Sequence, residues 1–152
     1  MSGSSGPPSE QDAEFRPLGK HLVLVREDIV WVRARGVVEL EEMRDLITLT
    51  YAVIDEHGYT LFLIDSTQGG VPSAEARRHQ ALRVKERNEP SHAAIYGASV
   101  LVSSLVSLTG RAIELLSGKP APVSFHKDEA AARERLAKER ILLRGQRQPR
   151  PR

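Results

Sequence analysis

Seven consecutive residues, Tyr59-Thr60-Leu61-Phe62-Leu63-Ile64-Asp65, constrain the fold more than any other stretch of the chain. Successive side chains of a strand point to opposite faces, so a strand with one wet face alternates apolar and polar residues. Leu61, Phe62, Leu63 and Ile64 do not alternate. A strand of this kind needs cover on both faces. That points to a parallel sheet between two layers of helix. The rest of the chain has to supply those helices and the neighbouring strands.

The flanking sequence supplies both. Residues 22–25, Leu-Val-Leu-Val, read as a strand, Glu27-Asp28 as a tight turn, and residues 29–34 as its hairpin partner. Gly36 is expected to end that strand. Glu39, Glu41, Glu42 and Asp45 load acid into the first turns of a helix, where the helix dipole favours it. Leu40, Met43, Ile47, Tyr51 and Ile54 then recur at steps of three and four and form one apolar face. Gly58 is the expected stop. After the central strand, residues 66–72 read as a loop holding Gly69-Gly70, with Ser73 capping a polar helix that runs to about Asn88. Its main apolar contacts are expected at Ala74, Ala81, Leu82 and Val84. Residues 92–96 form a small-residue strand, and Gly97-Ala98-Ser99 leads into a helix over residues 100–116. That helix is apolar on most sides and is expected to be the central buried one, ended by Gly118 and Pro120. Residues 123–125 are a short last strand. Asp128 can cap a final helix over residues 129–143, with Ala132 and Leu136 inward.

The predicted order is β-β-α-β-α-β-α-β-α. It gives an α/β fold, with a mixed and mostly parallel sheet of about five strands, an opening hairpin and four helices. The domain is expected over residues 18–144. Residues 1–17, rich in Ser, Gly and Pro, are expected to be a disordered tail, and residues 145–152 a basic disordered one.

Composition narrows the chemistry. The absence of cysteine excludes disulfides, thiolate metal sites and cysteine nucleophiles, and fits a reducing compartment. Charge is uneven, with 6 basic against 11 acidic side chains in residues 1–60 and 16 against 9 in residues 61–152. Six of those basic residues lie in residues 138–152, against Glu139 alone. No aromatic residues interleave with them as a single-strand nucleic-acid binder would need. A solvated cationic helix end is the expected reading, with no specific nucleic-acid partner. Residues 91–110 carry no formal charge but hold five serines and two glycines, which favours strand, turn and helix over a membrane span. With no apolar run in the first residues, a cytoplasmic location is expected.

No phosphate-loop, nucleophile-elbow or zinc-helix pattern is present in the sequence. The histidines, His21, His57, His79, His92 and His126, are scattered. Asp55-Glu56-His57 stands at a helix end, where solvated polar residues are ordinary. No catalytic residue, metal ligand or cofactor is assigned. Two candidate places remain, both leaving the C-terminal end of a strand and entering a helix, where ligands and partners of open α/β sheets gather. One is Asp65-Ser66-Thr67-Gln68-Gly69-Gly70 and on to Ser73, with Arg77 and Arg78 on the helix. The other is Gly97 and Ser99, as an anion or ligand loop.

The hairpin, Gly36-Val37-Val38 before an acidic helix start, Leu61-Phe62-Leu63-Ile64-Asp65, a helix beginning near Ser73, Ala93-Ala94-Ile95-Tyr96-Gly97 and Phe125 before Glu129-Ala130 together resemble a STAS domain. This is the family of anti-sigma factor antagonists, and the likeness is strongest to its SpoIIAA-like relatives. The resemblance covers residues 18–143. It implies the α/β fold above and function by binding rather than catalysis, in a bacterial signalling pathway. Docking would use the loop after the third strand and the following helix, onto a kinase or other signalling protein. It also implies Ser73 as a phosphoacceptor, although Val71-Pro72-Ser73-Ala74 departs from the family's Asp-Ser-Ser/Thr-Gly. A second reading is a small-molecule or lipid carrier of CRAL-TRIO-like type, with residues 100–116 lining a pocket. A third is an enzyme that cradles phosphate at Gly97–Ser99. Pairing of two copies through an edge strand and an apolar helix is left open.

Overall fold

The computed structural model describes residues 14–87, 89–118 and 122–146. Residues 1–13 and 147–152, Asn88 as the expected end of the polar helix, and Pro120 as a helix stop lie outside the described residues. Six strands form one sheet in the spatial order of the sequence: β1 (Arg16–Leu18), β2 (His21–Arg26), β3 (Ile29–Val38), β4 (Thr60–Pro72), β5 (Ser91–Tyr96) and β6 (Val123–His126). The pairs β1–β2 and β2–β3 are antiparallel, and every pair from β3 to β6 is parallel. Among the described residues there are four helices: α1 (Leu40–His57), α2 (Ala74–Glu86), α3 (Val100–Ser117) and α4 (Glu129–Gln146). The α/β architecture, the hairpin and the mostly parallel sheet are as the sequence predicts. None of the four helices is long and apolar enough to cross a membrane.

β4 runs through the middle and is covered on both sides, as its apolar run requires. Leu61 and Leu63 are fully buried in a cluster with Trp31, Tyr96, Leu136 and Leu143, beneath α4. Phe62 and Ile64 face the other way, toward Val30, Val32 and Val53 beneath α1. Helices α1, α2 and α3 form that second layer, with α2 packed against both others.

Four expectations change. The ordered fold begins before residue 18: Arg16–Leu18 pairs with β2, and Phe15 is buried edge-on against Trp31 at 5.0 Å between ring centroids. A single buried aromatic in a Ser/Pro-rich stretch carries no periodic signal. Second, residues 66–72 are not a loop. β4 continues to Pro72 because β3 also continues, past Gly36 to Val38, and the two pair again at Arg35↔Gln68, Gly36↔Gly69 and Val38↔Pro72 after a register shift. Gly69 makes this close approach: its φ is 116°, and a Cβ there would lie 3.0 Å from the Gly36 backbone. Third, α3 is not the buried helix. Val102, Thr109 and Ile113 face inward, but Val100 is 85% exposed, Leu101 68%, Leu108 58% and Leu115 87%. Its apolar residues exceed what one sheet-facing stripe can bury. Fourth, on α2 the buried contacts are Ala76 and Ala81, while Ala74 and Leu82 are exposed.

The turn at Glu27-Asp28 forms as predicted, with Glu27 at φ 56°. Asp28 is nevertheless only 2% exposed. Arg140 of α4 grips its carboxylate with two hydrogen bonds, Nε to Oδ2 at 2.7 Å and Nη2 to Oδ1 at 2.8 Å. The Tyr59 hydroxyl donates to Oδ2, and Arg144 Nε donates to that hydroxyl at 3.0 Å. Burial pushes the Asp28 carboxyl up, but the hydrogen bonds from Arg140 and Tyr59 outweigh it and hold it below the usual carboxylate range. Two arginines of the supposedly solvated helix end thus tie α4 to the hairpin turn and to the start of β4. Removing one partner of a buried pair strands the other charge. Arg140→Met is expected to lower unfolding stability by roughly 2 kcal/mol, less than for a wholly buried pair because Arg140 is partly solvated. Adding Asp28→Asn should restore part of that loss. Urea denaturation of both variants checks it, and an Arg140→Met protein as stable as wild type would show that the cluster contributes nothing.

Candidate functional site

The carboxyl end of the parallel strands gathers the residues singled out in the sequence. Asp65 is the last regularly paired residue of β4 before the register shift. Its Oδ1 accepts from the Thr67 backbone N–H at 3.0 Å and from the Thr67 hydroxyl at 2.7 Å. Asp65 therefore shapes its own strand. Ser66 is buried, whereas Thr67 and Gln68 are exposed. Thr67 lies against Gly97 at the end of β5. A Cβ on Gly97 would come within 2.3 Å of Thr67 Cγ2, and Gly97 also has a φ of 73°. The two candidate places are therefore one continuous edge, with Gly97 kept bare so that Thr67 can pass over it.

Both serines at the helix starts act as caps. Ser73 Oγ accepts from Ala76 N–H at 3.1 Å, and Ser99 Oγ from Val102 N–H at 3.2 Å. Ser73 is anchored from behind as well, its own N–H donating to Val38 O at 2.9 Å. Arg77 Nη1 donates to the Pro72 carbonyl at 2.8 Å, which holds a cation beside Ser73. Arg78 is exposed on the next position. Asp128 caps α4 through Ala131 N–H at 2.9 Å.

Two polar clusters were not legible in the sequence. Glu42 of α1 collects four hydrogen bonds: from Lys20 N–H and Glu39 N–H at 2.9 Å each, His21 Nε2 at 3.0 Å and Lys20 Nζ at 3.1 Å. Burial opposes ionisation there, but the backbone donors win and hold the carboxyl at about 2. The buried His21 ring accepts Arg35 N–H at Nδ1, 2.8 Å, so its Nε2 carries the proton given to Glu42. The second cluster joins two of the scattered histidines. Ser124 Oγ lies 2.9 Å from His92 Nε2 and 2.8 Å from His126 Nε2, and Glu139 stands 3.9 Å from His92 Nδ1. A hydroxyl has one proton, so Ser124 donates to at most one of the two rings, and at least one ring Nε2 must carry a proton. Residues 34 positions apart give no spacing signal; only the neighbouring parallel strands β5 and β6 bring them together.

The chain matches no protein-family profile and no curated protein. Among solved structures it is similar to a crystal structure of an uncharacterized protein of the DUF3478 family with a SpoIIAA-like fold, from Shewanella loihica PV-4. The identity is 21%, the match covers 76% of this chain and 91% of that one, and the TM-score is 0.47.

Two measurements test the site's internal bonds. Ser73→Ala removes a cap and should cost about 1 kcal/mol, while Ser73→Asp, an equally good cap, should cost little. Chemical denaturation separates the two, and equal losses would show that the cap bond does not matter. Burial holds both His92 and His126 below the ordinary imidazole range, with Arg135 adding to it and Glu139 or Asp128 opposing. The unfolded chain therefore binds protons that the fold refuses. The stability they contribute is complete above about pH 7 and declines as pH falls through the ordinary histidine pKa of about 6.5 toward the lower folded values. His126→Gln should flatten the stability profile between about pH 7 and pH 5; an unchanged slope would exclude His126 as a source of it.

Proposed function

We propose that this chain is a non-catalytic protein-binding module of a bacterial signalling pathway, working in the cytoplasm, and that it docks partners through α2 and the outer face of α3. One observation carries the reading. Leu101, Leu108 and Leu115 stand seven residues apart on one side of α3, and all three are largely exposed. Seven residues are nearly two whole turns, so the three side chains form a stripe along the helix. Leu82 of the adjoining α2 is exposed as well. Apolar surface grouped in this way marks an interaction site more often than a free surface.

The docking element is thus moved relative to the sequence reading. The stretch from Asp65 to Gly70 belongs to a paired strand and frames α2, and the helix layer presents the contact surface. The side chains at the strand ends support binding over chemistry, since Asp65 Oδ1, Ser73 Oγ and Ser99 Oγ each accept from a local N–H or hydroxyl group.

Ser73 is the point at which such docking would be switched. A phosphoryl group adds roughly −1.5 to −2 charge. On Ser73 it would meet the N-terminus of α2 and Arg77 beside it. The same charge would oppose a partner surface fitted to a neutral hydroxyl.

The test uses the purified chain as bait in host extract. Leu101→Lys with Leu108→Lys should reduce recovery of the specific prey by more than roughly tenfold, as expected for charges placed at the centre of an apolar contact. Ser73→Asp should weaken the same prey, with circular dichroism confirming the fold of each variant. Equal recovery by wild type and both variants would overturn the proposal.

A further inference from the structure

The two faces of β4 are not packed alike. Leu61 and Leu63, beneath α4, are 0% exposed, whereas Phe62 and Ile64, on the same strand but beneath α1–α3, remain half-buried. A central strand between two helical layers ordinarily seals both faces. Here the space above Phe62 and Ile64 is a cavity of about 210 Å³, walled by Ile47 and Ile54 of α1, Val84 of α2 and Ile113 of α3. Two polar side chains of its lining stand out. Thr60 is fully buried, and among the described residues its hydroxyl has no hydrogen-bond partner. Arg83 has a buried Nε that also lacks a partner among the described residues, while its Nη1 reaches Glu86 at 3.2 Å. Unmet donors of this kind cost stability and are rare in native interiors. Arg83 and the neighbouring Arg87 both lie over the Tyr51 ring, at 5.7 and 4.3 Å from its centroid, but Arg87 is taken up by Asp55 and Glu89, both at 2.6 Å.

We infer that this cavity is a binding site for a compact apolar carboxylate, whose apolar body rests on Phe62 and Ile64 and whose carboxylate pairs with the Arg83 guanidinium in its lining. The size follows from volume. A dry cavity of about 150 Å³ takes a benzene ring, so this one takes a molecule of roughly ten non-hydrogen atoms. The head group follows from the donor set. A guanidinium presents fixed N–H pairs that match a carboxylate side-on, and on Arg83 one such edge is still unused. Medium-chain fatty acids and arylalkanoic acids share this chemistry. The inference is independent of the docking surface, which lies on the outer side of the same helices.

The experiment is a titration of the full chain, followed by amide NMR, with octanoate, 3-phenylpropionate and the neutral octan-1-ol. Saturable shifts confined to α1, α2, the inner side of α3, β4 and the starts of β5 and β6 are expected with a carboxylate. The tighter of the two acids identifies an aliphatic or an aromatic ligand. Arg83→Met should weaken the bound acid by roughly tenfold, the loss expected for a charge-assisted hydrogen bond, and leave octan-1-ol within about twofold. Val84→Phe, which fills the cavity, should abolish binding of all three. If Val84→Phe does not fold, Arg83→Met decides alone, since its side chain reaches the mouth. Absence of saturable shifts with either acid would overturn the site. Octan-1-ol binding as tightly as octanoate to wild type would overturn the carboxylate.

Discussion

The parallel ladder between β3 and β4 is the constraint on which the remaining geometry rests. It runs from Ile29↔Leu61 to Arg33↔Asp65, slips, resumes at Arg35↔Gln68 and Gly36↔Gly69, and after a second slip ends at Val38↔Pro72. The first half sets the hydrophobic layers. In parallel register Trp31 sits beside Leu63 and shares its face, while Val30 and Phe62 share the other. The second half sets the functional edge. Because β3 and β4 stay paired to their last residues, Val38 O can receive Ser73 N–H, and α2 starts at a fixed point instead of swinging on a free loop. A slip of one residue would turn every apolar side chain of β4 to the wrong face, so the bulge has to lie beyond the apolar run, and it does.

The layers on either side of that ladder solve different problems. Beneath α4 Leu61, Leu63 and Leu136 are fully buried, and each such leucine is worth roughly 1.5–3 kcal/mol relative to exposure. Polar ties stand at the amino-terminal ends of the parallel strands in this layer: Asp28 with Arg140 and Tyr59, and His92 with Ser124. Buried ion pairs add little net stability against apolar replacements. What the Asp28 cluster adds is placement, since a bidentate guanidinium on a turn carboxylate fixes both distance and angle. The three-helix layer is looser. It leaves apolar floor uncovered inside and apolar residues exposed outside, and a layer of that kind is open to binding at both surfaces.

Legibility in the sequence followed the same division. Wherever one local rule decided the outcome, the reading was sound. The period of α1, the stops at Gly58 and Gly118, the caps at Ser73 and Asp128, and the two-sided burial of β4 are all of this kind. Where tertiary pairing decided, local signals failed. Gly69-Gly70 signals a turn in isolation, but opposite Gly36 it allows two backbones to approach. Leu101, Leu108 and Leu115 signal a core, although a helix covering one face of a sheet can bury only one stripe. Arg140 and Arg144 look like solvated tail charges, because nothing near them in the sequence shows that Asp28 waits across the fold, 112 positions from Arg140. The Ser124 cluster was illegible for the same reason.

α2 shows how one helix can be polar and still necessary. Its sequence has too few apolar residues for a core helix, and the structure explains why it needs none. Only Ala76 and Ala81 are fully buried. Small residues let the helix axis come close to its neighbours without filling the space beneath it. At 100° per residue, Leu82, Arg83 and Val84 then face three different environments: Leu82 the solvent, Arg83 the mouth of the cavity over Tyr51 and Val84 its interior. A larger apolar residue at Ala76 or Ala81 would lift α2 away from α1. A fuller apolar face would fill the cavity. The composition that makes α2 a poor core helix is what keeps open the space above Phe62 and Ile64, and its polar outer surface follows from having no second layer to meet.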